Sequence, residues 1–156
     1  MAVAGIGSAE PDNSINIGGA GIAASDATAS MFFVEYEPAL SSNVSLLGRL
    51  GSMTYNSDDG VYVEDGDVKG INFGMRIYPS GGMRDFYFGG AIGFGSSEWT
   101  FTNNKGQLYE TQGKGTSDEV RLDLDVGDRF LLGSGPVSLM PSFHLGNVSS
   151  IDNTCT

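Results

Sequence analysis

The chain is short of cations, cysteine, histidine and long apolar runs, and each shortage excludes something. Lys and Arg number 8 against 19 Asp and Glu, giving a formal charge of −11. Phosphate recognition needs a basic footprint, so no nucleic acid is expected as a partner. The single Cys, Cys155, has no second thiol to pair with, so no internal disulfide braces the fold. No run of 18 or more apolar residues is present, which excludes a transmembrane helix but has no bearing on strands. Met1–Ala9 is small and apolar but has no basic residue ahead of it, so it is not a complete secretion signal.

Glycine is what the chain has in excess. There are 24 Gly in 156 residues, about 15% and roughly twice the usual share. A Gly inside a helix costs about 1 kcal/mol relative to Ala, so a helical bundle is disfavoured. At 40% hydrophobic residues the chain is too apolar for disorder, which leaves a Gly-tolerant sheet in a single domain.

Period-two patterning marks seven strands, near residues 14–24, 29–37, 43–55, 67–78, 86–101, 117–132 and 137–148. Connectors 38–42, 79–85 and 133–136 read as short, and 56–66 and 102–116 as long and polar. In an up-and-down meander, successive connectors fall at opposite ends, so one rim would carry turns and the other long loops. The expected fold is all-β: an antiparallel up-and-down β-barrel of eight strands, seven of them visible. Residues 1–13 are expected as a flexible segment or signal remnant, 14–148 as the barrel domain, and 149–156 as a tail or incomplete final strand.

The faces are clearest in 117–132, where Val120, Leu122, Leu124, Val126 and Phe130 alternate with Arg121, Asp123, Asp125, Gly127 and Arg129. Alternation alone does not say which face is inside. Glycines on the face opposite Phe73 and Phe88 would let a narrow wall approach long charged side chains, and this favours an inward charged face. The interior network expected on this basis comprises Glu35, Glu37, Arg49, Arg76, Arg121, Asp123, Asp125 and Arg129, with mixed signs for pairing. A solvated outer face carrying the same charges is the alternative. Trp99, Phe101, Tyr36 and Tyr78 are candidate rim aromatics.

Four stretches, "FFVEYEPALSSNVSLLGRLG", "INFGMRIYPSGG", "FYFGGAIGFGSSEWTF" and "VRLDLDVGDRFLLG", resemble the small outer-membrane β-barrel proteins of Gram-negative bacteria. The resemblance implies an outer-membrane location, outer-membrane lipid as a partner, a monomer, and a structural or surface-interaction role. A surface ligand or host factor would then meet loops 56–66 and 102–116. The alternatives are a soluble lipocalin-like small-ligand barrel, a narrow porin-like solute channel, and a lipid A-modifying hydrolase. The hydrolase would require a Ser two residues after the catalytic His and a Glu beyond it. The only His, His144, is followed by Gly146 and by no Glu, so no catalytic residue is expected. Asp58, Asp59, Glu64, Asp65 and Asp67 do not follow an EF-hand order, and neither metal nor cofactor is expected.

Overall fold

The structure, a computed structural model, describes residues 2–10, 13–131 and 137–156. The connector expected at 133–136, and Leu132 before it, lie outside the described residues. Nine antiparallel strands make one sheet: β1 (Ala2–Glu10), β2 (Asn13–Ala23), β3 (Ala27–Pro38), β4 (Val44–Asp58), β5 (Tyr62–Ile77), β6 (Asp85–Asn103), β7 (Thr111–Leu131), β8 (Val137–Leu139) and β9 (Ser142–Cys155). Among the described residues there is no helix.

The strand order is β2-β3-β4-β5-β6-β7-β8-β1-β9, with β2–β1 and β7–β9 pairing in addition. β1 therefore has β2 on one side and β8 with β9 on the other, and the succession of pairings returns to its start. The expectation of eight whole strands in simple up-and-down sequence is corrected to this nine-stranded order. Ala2–Glu10, expected as a flexible segment, is a paired strand. The last expected strand is two, because Met140–Pro141 interrupts it and Pro has no N–H to give to a ladder. β8 and β9 share the place between β7 and β1, and β9 continues through the residues expected as a tail.

The loop-length asymmetry also fails. The connections at one end are 24–26, 59–61 and 104–110, and those among the described residues at the other include 39–43 and 78–84. Much of the sequence that read as long loop is strand. Asp59 closes the β4–β5 turn by accepting from Val61 N at 2.9 Å and Tyr62 N at 2.7 Å, and Gly60 takes a left-handed φ of 88°. Turns of this chemistry need few residues.

Register sorts the side chains into two contrasting faces. On the outer face Ile17, Val34, Leu50, Ile71, Phe94 and Val120 stand opposite one another in turn, an apolar row across β2 to β7. Of these, Ile17, Val34, Leu50 and Phe94 are exposed to a degree unusual for their type, Leu50 at 61%, as is Leu122 on the same face at 62%. The matching inner row runs Asn16, Glu35, Arg49, Asn72, Gly93 and Arg121. The largest fully buried side chains are thus Arg76, Arg129, Tyr78, Tyr87, Glu35 and Glu37. Tyr78, Met83, Tyr87 and Met140 form a small apolar cluster at the end that carries the β5–β6 connection.

Candidate functional site: a sealed charge cluster beneath an open chamber

Two carboxylates organise the inner face. Glu35 and Glu37 lie on one side of β3, two residues apart, and both are buried. Arg49, cross-strand neighbour of Glu35, reaches it through Nε at 3.0 Å and Nη2 at 2.7 Å. Arg76 of β5 bridges three acids: Glu35, Glu37 at 3.0 Å, and Asp125 through Nε at 2.8 Å. Arg129 of β7 pairs with Glu37, and Tyr78 Oη donates to the same carboxylate at 2.7 Å. Asn16 Nδ2 donates to Glu35 at 2.9 Å. Three carboxylates thus meet three guanidinium groups, a neutral cluster in which every buried charge has at least one partner of opposite sign. This is the condition under which buried charge is tolerated.

The glycines of β6 make this approach possible. Gly89 stands between Arg76 and Asp125 in register, and a Cβ there would collide with the Asp125 carboxylate and the Arg76 stem. The guanidinium groups also lie over aromatic rings, Arg49 at 4.9 Å from the Phe33 centroid and Arg76 at 4.6 Å from that of Tyr87. Burial alone would raise the Glu35 carboxyl, but Arg76 and Arg49 outweigh it and hold its pKa at about 2. For Glu37 the same opposition, with Arg76 and Arg129 prevailing, also ends below the ordinary value.

The structure brings together six of the eight residues proposed for an interior network. Arg121 instead pairs with Glu119 at 2.6 Å, and Asp123 accepts from Asn72 Nδ2 at 2.6 Å while burial raises its pKa. Of the candidate rim aromatics, Tyr36 is exposed, Tyr78 is fully buried in the cluster, and Trp99 and Phe101 share the inner-facing parity of β6.

His144 of β9 sits beside Asp125 in register, and Ser142 Oγ lies 2.9 Å from its Nε2. Burial pushes its pKa down to about 4, with Arg49 acting in the same direction and Asp125 against it. The free space bounded by Asn16, Glu35, Arg49, Arg76, Tyr87 and Ser142 is about 10 Å³, room for one water and no substrate. The acidic residues of 58–67 scatter: Asp58 and Asp59 accept from turn amides, Asp65 and Asp67 face outward, and Glu64 faces inward. Among the described residues no group of three or more His, Cys, Asp or Glu is placed to hold a metal.

Beyond the cluster the interior opens. A chamber of about 490 Å³ is lined by Tyr55, Glu64, Trp99, Glu119, Arg121 and Asn153 among others. Its upper wall is an inner row in which Tyr55, Gly66, Trp99 and Gly115 alternate aromatic and glycine across β4 to β7. Each ring lies over the next strand's glycine, where any Cβ would strike it. Tyr55 Oη and Tyr62 Oη donate to the two oxygens of Glu64 at 2.8 and 2.6 Å. That bond to Glu64 is the main reason the Tyr62 phenol is pushed up to about 12. Sequence reasoning missed this collar because Glu64 and Tyr62 were placed in a loop. The signal was present: Tyr62, Glu64 and Gly66 continue the parity of Arg76. Gly115→Val should displace the Trp99 ring and destabilise the fold by about 1–3 kcal/mol, visible as a lower unfolding midpoint with a shifted Trp99 emission.

No protein family, no curated protein and no solved structure matches this chain. The resemblance to outer-membrane barrels is corrected accordingly. It rested on alternation, which any sheet with two unlike faces produces, and on a loop asymmetry that the strand boundaries remove. The outer-membrane location, the lipid partner, the surface-interaction role and the porin-like character fall with it. A lipocalin-like site would need an apolar interior, whereas the largest enclosed side chains here include the paired Arg76, Arg129, Glu35 and Glu37. The channel reading fails at the charge cluster, which seals one half of the interior, and the hydrolase reading at the confined Ser142–His144 pair.

Proposed function

We propose that the protein is a binding module rather than an enzyme, and that it takes a small polar ligand into the chamber above the charge cluster. The observation that carries this reading is the division of the interior. Cross-linked charge leaves about 10 Å³ in one half, and the other half keeps about 490 Å³ lined by groups of unlike chemistry. Binding pockets combine a preformed concavity with a few placed polar groups, and here a rigid floor holds such groups in position. Catalysis would need a nucleophile, a base and an orienting group converging on space for a substrate. The Ser142–His144 pair has no such space beside it.

Trp99 is the only Trp and lines the chamber, so its emission reports occupancy. Titration with small organic cations, anions and neutral polyols should give a saturable change with at least one of these classes. Ser97→Leu, which fills the chamber from β6, should abolish the change while leaving the unfolding midpoint near the parent value. No saturable change with any class would overturn the reading.

A further inference from the structure

The chamber has a charge and a shape that single out one kind of ligand. Among the described residues its one lining cation, Arg121, is already paired with Glu119 at 2.6 Å. Glu64 has no ion-pair partner among the described residues; its neighbours are two neutral phenols. Neutral donors fix a carboxylate in place without cancelling its charge, so the chamber keeps one uncompensated negative charge in a defined position. The Tyr55 and Trp99 rings line the same chamber, each held over a glycine of the next strand where no Cβ stands in its way. Tyr62 is braced from behind by Phe101, with ring centroids 6.1 Å apart and planes at 20°.

Resting on the chamber reading above, we propose that Tyr55, Trp99 and Glu64 form a recognition site for a small alkylated ammonium ion. Aromatic faces attract a cation through their quadrupole, and the attraction strengthens where water is partly displaced. Both Glu64 oxygens already accept phenolic hydrogen bonds, so the carboxylate acts on a ligand mainly as a fixed charge. A primary amine brings three donors that demand acceptors, whereas an alkylated ammonium brings charge and methyl surface and asks for none. The choice of ligand follows from that difference. The net charge of −11 adds a long-range attraction for cations.

The test uses the purified full chain with choline, its neutral isostere 3,3-dimethyl-1-butanol, and acetate, read through Trp99 emission. Choline should saturate about tenfold more tightly than the neutral isostere, in keeping with the usual strength of cation–π and fixed-charge attraction, and acetate should not bind. Glu64→Gln keeps the shape, one phenol still donating to the amide oxygen and the other accepting from the amide nitrogen. It should weaken choline by about tenfold and leave the neutral isostere unchanged, with far-UV circular dichroism confirming the fold. Tyr55→Phe, which keeps the ring and frees one Glu64 oxygen, should retain choline binding. Equal binding of choline and the isostere, or choline binding indifferent to Glu64→Gln, overturns the ammonium assignment and leaves the chamber reading standing. No saturable response to any probe removes both.

Discussion

Arg76→Ala is expected to cost about 3–5 kcal/mol, enough to unfold much of the population of a domain whose total stability is of the usual size. The reason lies in what the substitution leaves behind. Glu35, Glu37 and Asp125 each lose a guanidinium partner, and all three remain buried in the interior. Arg49 and Arg129 stay in place but are already committed to Glu35 and Glu37, so Asp125 is left with no ion-pair partner among those described. Chemical denaturation would show the loss directly. Leu122→Ala supplies the comparison: its side chain is 62% exposed on the outer face, so truncation should change stability by less than about 0.5 kcal/mol. A comparable loss from both variants would mean that the outer face, not the charge cluster, holds the sheet together. A second comparison separates lost attraction from stranded charge. Pairing Arg76→Met with Glu35→Gln removes charges of both signs and should recover part of the loss, since residues in one network do not contribute additively.

The reversed distribution behind this prediction was half legible in the sequence. Arg121, Asp123 and Asp125 alternating with Leu122 and Leu124 declared two unlike faces, and Gly89 and Gly93 declared where a wall had to be thin. Alternation carries no sign, however, and only register shows that Glu35, Arg49, Asn72 and Arg121 occupy one inner row. Strand limits were harder to read. At 56–66 polar residues fall on both faces, so period two vanishes although the ladder continues to Asp58 and resumes at Tyr62. Ala2–Glu10 was hidden for another reason: its small residues carry little contrast between faces, and its pairing depends on β2 and β8, far apart in the chain. The aromatic and glycine alternation of the collar is invisible along the chain, because Tyr55, Gly66, Trp99 and Gly115 meet only across four strands.

Acid should destabilise the protein in two stages, and His144 should own the first. Its pKa lies near 4 in the folded chain against an ordinary 6.5, so the unfolded state binds the proton first as pH falls. The stability it contributes is complete above 6.5 and is lost as pH falls from there to about 4. At about 1.36 kcal/mol for each unit of pKa separation, the loss is on the order of 3 kcal/mol. Glu35 follows the same sign from a different cause: Arg76 and Arg49 overcome its burial and hold it near 2 against an ordinary 4.5. Its contribution is intact above 4.5 and disappears towards pH 2. Denaturation midpoints measured from pH 8 to pH 3 should therefore begin to fall near 6.5, above the range in which any carboxylate of ordinary pKa titrates. His144→Gln keeps a polar partner for Ser142 and cannot take up a proton, so its midpoint should stay level down to about pH 4.5 and fall only below that. If wild type and His144→Gln decline together from pH 6.5, the imidazole is not the group that resists protonation inside the sheet.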